Sequence, residues 1–310
     1  MITEKVGRVV KGLGGLYETR VAENEAVERF FCRAKGNQKR DEEKVLIGDT
    51  VRISIDTDTP DSIVISEILP RRNSLIRPPV SNLDYIFIVF AAAKPAPVLE
   101  TVDRLISIAE YNGITPVIVI TKSDIASADE YRNIYTLAGF SVFVTSSEHS
   151  DGIDALRDYI SEHLTDGRSA AFAGASGVGK STLMNALFPD LTLATAEISR
   201  KIQRGRHTTR HVELFELSDS ASCGFLADTP GFSLIDFARF DFMPEEALIS
   251  TFRDIAPYVG KCRYADCAHA GEGTDECAVA RAAECGELAP SRLASYRSIY
   301  TVLKNKNKYD

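Results

Sequence analysis

No apolar run in this 310-residue chain approaches the 18 or so residues that a membrane-spanning helix needs; the longest, residues 85–93, has nine. Glycine and proline are sparse, at 20 and 12 residues, too few for a collagen or a linker-rich chain. The opening residues, MITEKVGRVV, hold no apolar signal region, which sets the expectation of a cytoplasmic protein with no membrane partner. An excess of positive charge is missing too. Lys and Arg number 36 against 44 Asp and Glu, a net charge of −8, which weighs against a purely electrostatic nucleic-acid binder. The deficit is uneven: residues 1–80 carry 14 basic and 13 acidic residues. The acidity lies downstream, and the first segment is free to meet an anion.

What the chain does hold is an ordinary globular composition, 44% hydrophobic and 26% charged. At about 150 residues per domain its length suggests two domains, or three small ones. Short β-rich stretches at 6–10, 15–21, 29–34, 50–55 and 62–68 are punctuated by turn signals at 12–15, 36–37 and 56–61. Five strands at that spacing suggest a small β domain, either an OB-type barrel or another small barrel or sandwich. From about residue 73 the texture changes. The apolar runs 85–93 and Thr115–Thr121 read as buried parallel strands, Leu99–Tyr111 has helical spacing, and further strands are expected at 141–146, 170–174 and 224–228 with a helix at 153–164. This strand–helix alternation argues a doubly wound α/β domain. Beyond residue 240 the pattern turns helical and cysteine-rich; a helix is expected over 287–304, followed by a short basic tail, KNKNK.

The sequence AFAGASGVGKST leaves an apolar strand and enters a helix-prone stretch. Gly174, Ala175, Ser176, Gly177, Val178, Gly179, Lys180, Ser181 and Thr182 form a Walker A phosphate loop. Its glycines let backbone N–H groups converge on phosphate oxygens. Lys180 supplies a point charge for the β and γ phosphates, Ser181 a hydroxyl for Mg²⁺, and the following helix its positive end. Asp228, Thr229, Pro230 and Gly231 follow an apolar strand about 50 residues on; there Asp228 can organise the Mg²⁺ shell and Gly231 can sense the γ-phosphate.

Thr121, Lys122, Ser123 and Asp124 close a strand and resemble the guanine-reading Asn-Lys-x-Asp motif, with Thr in the Asn position. A carboxylate at Asp124 can accept both N–H groups of guanine, which adenine does not offer. Thr145, Ser146 and Ser147 resemble the Ser-Ala-Lys base loop, with Gly152 beyond. The base motifs thus precede the phosphate loop, and the Asp228 motif comes last. That is the order of a circularly permuted GTPase, a sheet whose original ends have been rejoined. The position after Gly231 is Phe232, which cannot orient water as a Gln would. Residues 199–211 are expected to form the first switch, with Thr208 or Thr209 on Mg²⁺ and His207 positioning water. Five Lys or Arg over 200–210 give that loop a second possible contact, a phosphate backbone. Slow hydrolysis by the isolated protein and acceleration by a partner are expected.

Four of the six cysteines lie between 262 and 285. Cys262, Cys267, His269 and Cys277 fall within 16 residues and suggest a structural tetrahedral Zn²⁺, with Cys285 as the alternative ligand.

With these residues placed, nearly the whole chain resembles the family of ribosome small subunit-dependent GTPase A, bacterial circularly permuted GTPases. The resemblance rests on NSLIRPPVSNLDYIFIVFAA, TKSD, GASGVGKS, GRHTT, DTPGF and CRYADCAH. It implies an OB-like barrel (1–72), a permuted α/β P-loop GTPase domain (73–236) and a C-terminal, mainly helical zinc domain (237–310). It also implies GTP, GDP, Mg²⁺ and Zn²⁺ as ligands, and a monomer that binds the small ribosomal subunit and its rRNA late in maturation. GTP hydrolysis is stimulated by the subunit in that family. Two rival readings stand beside it: a P-loop ATPase or small-molecule kinase, and a non-catalytic RNA-binding adaptor that keeps nucleotide as a structural ligand.

Overall fold

A computed structural model describes residues 2–34, 44–56, 62–146, 148–189, 212–228 and 242–306. In chain order they form β1 (Ile2–Leu13), β2 (Leu16–Glu23), β3 (Ala26–Ala34), β4 (Thr50–Asp56), β5 (Ile63–Ile68), β6 (Ser74–Leu75), β7 (Val80–Ser81), β8 (Tyr85–Ala91), α1 (Leu99–Tyr111), β9 (Thr115–Thr121), α2 (Asp129–Leu137), β10 (Ser141–Val144), α3 (Ile153–His163), β11 (Ser169–Ala173), α4 (Lys180–Leu187), β12 (Glu213–Glu216) and β13 (Phe225–Asp228). Two 3-10 segments, Glu245–Thr251 and Ala256–Tyr258, then lead to α5 (Ala278–Glu284) and α6 (Pro290–Lys306). The turn residues 36–37 and 57–61 and the end of the basic tail lie outside the described residues.

The chain divides into two compact units, the first made of residues 1–85, 158–172 and 190–232. Within it all five strands expected at the N-terminus form, and they close on themselves. β1 pairs with β2 and β4, β2 with β3, β3 with β5, and β5 with β4. One strand can serve two partners because β1 is long and its register shifts between Val9 and Lys11. Its first half, Ile2 to Arg8, faces β4, and its second half, from Arg8 to Leu13, faces β2. The result is a five-stranded barrel in the order 1-2-3-5-4, the OB arrangement. Val9, Val10, Val21, Cys32, Val51, Ile53 and Ile65 fill it, each buried. Outside the barrel, β12 pairs antiparallel with β13, and β13 parallel with β11. The Arg8 and Arg20 guanidinium groups both lie over this strip's Phe225, at 4.9 and 5.4 Å from the ring centroid.

The second unit comprises residues 86–157, 173–189 and 233–310. Its strands β9 and β10 run parallel, with Ser141 opposite Val117, and Val117–Ile120 are fully buried as a continuous apolar run implies. α1 buries Val102, Leu105, Ile106 and Ile108 on one face. The same helix buries a charge. Asp103 accepts from Arg292 of α6 at 2.6 Å and from the Tyr135 hydroxyl at 3.2 Å, while Arg292 also forks onto both oxygens of Asp254. Arg292 and Asp103 are both fully buried, so each depends on the other to leave water. The expected C-terminal helix starts at Pro290, which tolerates the first helical position because its missing N–H has no partner there. Among the described residues no helix is long and apolar enough to cross a membrane.

Candidate functional site

The phosphate loop leaves β11 and enters α4, as its sequence requires. Gly174 has φ 142°, and a Cβ there would lie 2.0 Å from the Val89 carbonyl oxygen, so the loop passes β8 at a distance only glycine allows. Val178 turns inward and is buried, whereas Ala175, Ser176 and Gly177 are exposed. α4 begins at Lys180, so Ser181 and Thr182 sit in its first turn with exposed side chains. The Lys180 ammonium folds over the loop and donates to the Gly174 and Ala175 carbonyls at 2.6 and 2.7 Å. Partial burial holds its pKa below the usual lysine value. First-turn amides and a folded-over ammonium give this loop the kind of donors that an oligophosphate requires.

The base motif is fastened to that loop. Thr121, the last residue of β9, is buried and donates its hydroxyl to the Val178 carbonyl at 2.5 Å, with the Phe90 carbonyl at 3.3 Å. Lys122 takes a left-handed backbone, φ 59°, and its ammonium donates to the Gly177 carbonyl at 2.9 Å and to the Lys94 carbonyl at 2.6 Å. Asp124 is exposed, and its carboxylate accepts from the buried Ser146 hydroxyl at 2.7 Å. Ser146 itself is set by the turn after β10. Its N–H donates to the Asp151 carbonyl, its Oγ accepts from the His149 N–H, and Gly152 lets the turn close where a Cβ would lie 2.1 Å from the Val144 carbonyl. Ser123 is held by its N–H on the Thr145 carbonyl. The Ser146 hydrogen bond, joined by the residue's own amide and the charges of His149 and Lys122, holds the Asp124 carboxyl below the usual carboxylate range. The arrangement presents an ionised acceptor pair within the unit that carries the phosphate loop.

Cys262, Cys267, His269 and Cys277 converge in the same unit, with their ligand atoms all within 4.8 Å of one another. The His269 Nδ1 lies 3.4 Å from each of the three sulfurs, and the Cys262 and Cys277 sulfurs are 3.9 Å apart. A tetrahedral zinc with Zn–S of about 2.3 Å and Zn–N of about 2.0 Å requires edges of about 3.5–3.8 Å, so the donor set and its spacing fit that ion. The N–H groups of Ala278 and Ala280 donate to the Cys262 and Cys277 sulfurs at 3.3 and 3.4 Å, a pattern that steadies thiolates. Burial pushes the His269 pKa down, favouring the neutral ring that a metal needs. Cys285 is exposed and stands apart from this set. α6 braces the loop from behind: Tyr296 donates to the Ala268 carbonyl, and Arg297 to the His269 and Glu272 carbonyls, each at 3.0 Å.

Residues 68–238 match the RsgA GTPase family, and residues 6–63 match the RsgA N-terminal domain. The chain belongs to the RsgA GTPase family. It is 41% identical over 306 residues to small ribosomal subunit biogenesis GTPase RsgA 2 of Listeria monocytogenes, covering 97% of this chain and 98% of the relative. It is 36% identical over 313 residues to the RsgA of Agathobacter rectalis, covering 98% and 99%. Among solved structures it is similar to YloQ, a circularly permuted GTPase, with a TM-score of 0.76 at 34% identity, covering 98% of this chain and 96% of that one. It is similar also to YjeQ from Thermotoga maritima, with a TM-score of 0.75 at 28% identity, covering 97% and 99%. The shuffled order of motifs along the chain is therefore the family's permuted order, and the chain is a GTP hydrolase.

Some expected RsgA-type site residues fall beyond what is described. Ser147, the switch segment with His207, Thr208 and Thr209, and Thr229, Pro230, Gly231 and Phe232 lie outside the described residues. Asp228 ends β13, opposite Glu213 of β12. Sequence reasoning missed the Lys94 carbonyl, which receives the Lys122 ammonium, because a backbone acceptor leaves no mark in residue type. It also missed the inward use of Thr121, which stands in the Asn position of the base motif: its hydroxyl ties the end of β9 to the loop after β11.

Proposed function

We propose that this chain is a GTP-driven factor in small ribosomal subunit biogenesis, bound to the subunit and its rRNA while it carries GTP and released after hydrolysis. Supporting this are the names of its relatives at 36–41% identity, all small ribosomal subunit biogenesis GTPases. The observation that carries the reading is the fastening of Thr121 and Lys122 to Val178 and Gly177, which joins a guanine reader to a phosphate cradle. In this reading Gly174 to Thr182 hold the phosphates, Lys180 neutralises the β and γ oxygens, and Asp124, positioned by Ser146, accepts from guanine. Thr121 and Lys122 fix the geometry, while Ser123 and Ser147 complete the base loops. Ser181 and Asp228 would hold Mg²⁺, which supplies charge to the transferring phosphoryl group. Gly231 would sense the γ-phosphate, and His207 with Thr208 or Thr209 would order water and metal. Cys262, Cys267, His269 and Cys277 would hold a structural Zn²⁺. The functional parts would be a barrel (1–72), a GTPase body (73–236) and a zinc region (237–310), acting as a monomer in the cytoplasm.

The test is GTP turnover with and without purified small subunits. Stimulation by subunits is expected, and it should vanish in Lys180→Ala. Equal turnover with and without subunits would end the biogenesis reading. Stimulated turnover that survives Lys180→Ala would mean the phosphate loop does not carry the chemistry.

A further inference from the structure

α4 offers its first-turn amides at the phosphate loop and, about 12 Å away, ends in carbonyls. The last carbonyls of a helix have no partner within it, and they form its negative pole. Cations suit that pole, yet the last turn of α4 contains no basic residue. The cation comes from another helix. Arg157 of α3 donates to the Ala186 carbonyl at 2.9 Å and to the Leu187 carbonyl at 3.4 Å, which caps the end of α4 from outside. The third guanidinium nitrogen meets Asp154, a side chain 86% exposed, and an ion pair so open to water contributes little.

We propose that Arg157 is a positioning residue for nucleotide binding: by capping the carbonyl end of α4 it orients the helix whose amide end takes the phosphates. Two features favour this. A cation on the negative pole of a short helix leaves its positive pole less opposed, which strengthens the end that meets an anion. The second feature is the place of Arg157 in the chain. α3 follows the base loop, which closes at Gly152, and precedes β11, which enters the phosphate loop. The rejoined ends of the permuted order fall in that stretch, so the link that joins them also fastens the far end of α4. Thr121 and Lys122 hold the phosphate loop, and Arg157 holds the helix where it ends, so the phosphate segment is fixed at two points to the stretch that carries the base motifs. The inference rests on the reading that Gly174 to Thr182 hold the phosphates.

The full chain would be titrated with GDP and with ADP, and the phosphorus NMR spectrum of the bound GDP recorded. Arg157→Met keeps the apolar stem and removes the donors. It should weaken GDP about fivefold, the upper end of what a surface cation at a helix end contributes. It should also shift the resonance of the bound β-phosphate, with the preference for GDP over ADP intact. Arg157→Lys keeps the charge and should recover most of the affinity. Asp154→Asn should match the wild type in both readouts. GDP bound by Arg157→Met as tightly as by the wild type, no recovery in Arg157→Lys, or a lost preference for guanine would each overturn the assignment. So would weaker binding with an unmoved β-phosphate resonance, which marks lost stability alone. If Asp154→Asn reproduces Arg157→Met, the ion pair and not the cap is responsible, and the assignment fails. Should Arg157→Met not fold, Arg157→Gln is expected to show the same loss and the same shift, and wild-type behaviour in it overturns the role. Lys180→Ala separates the two readings. If it binds GDP like the wild type, the phosphate-loop reading itself fails. If it weakens GDP while Arg157→Met does not, only the role of Arg157 fails.

Discussion

In its proposed role Asp124 works only as an anion, because guanine brings N–H donors and a protonated carboxyl would set donor against donor. Ser146 is what keeps it ionised in acid. The hydroxyl, 2.7 Å away and buried, donates to the charged form and lowers the pKa from the ordinary value near 3.9. A depressed carboxylate pKa means that guanine binding is retained above it and lost as pH falls through it. Ser146→Ala should move that loss to higher pH, while affinity at pH 8 changes little. Titrating labelled GDP between pH 8 and 4 reads the shift directly; a superimposable acid limb would show that Ser146 does not position Asp124. At this scale much was legible from residue type: a carboxylate, a hydroxyl and a lysine each advertise one chemistry. What residue type could not give was direction. Thr121 looked like a weaker Asn facing the base, yet its hydroxyl points at a backbone carbonyl.

That carbonyl belongs to Val178, so one hydrogen bond links the end of β9 to the phosphate loop. Thr121→Val keeps the shape and removes the donor, leaving the buried Val178 oxygen unpaired at a cost of about 1–3 kcal/mol. Affinity for GDP and GTP should fall about tenfold together, with selectivity for guanine over adenine intact and Thr121→Ser restoring binding. Nucleotide titrations against GDP and ADP check this; loss of selectivity alone would mean that Thr121 reads the base after all. Among the elements, Leu99–Tyr111 was readable to the residue because its apolar spacing matches the face it buries. α2 escaped notice because DEYRNIYTL buries only Tyr135, too little for a period to emerge. β12 escaped too, since four residues, ELFE, offer a single alternation. The barrel strands and a barrel closure were both legible, but the pairing that closes it was not. It depends on the register shift within β1, which sequence does not display.

At the scale of the molecule, the metal loop and the GTPase core share one helix. α6 holds the loop through Tyr296 and Arg297 and reaches α1 through Arg292, a buried cation with two carboxylates. A metal bound only by the folded chain adds its binding free energy to folding. Cys262→Ser should reduce bound zinc from about one per chain to none and lower the melting temperature by about 5 °C or more, since each kcal/mol moves Tm by about 2–4 °C at this size. Elemental analysis and calorimetry on the same preparations decide it; unchanged zinc content would refute the ligand set. The four ligand types were plain from the sequence, whereas Arg292, Asp103 and Asp254 were not. They are 38 to 189 positions apart, and nothing local marks a surface-type residue as buried.

The permuted order also sets a schedule for birth. A chain emerging from its N-terminus presents the barrel, then Thr121 to Asp124, and only about 50 residues later the loop that Thr121 and Lys122 clasp. At about 5–20 residues per second, several seconds separate the two halves of the clasp. During that interval the half-made protein carries the proposed base motif without the loop that it clasps, and the clasp is complete only when nearly three-fifths of the chain has been synthesised.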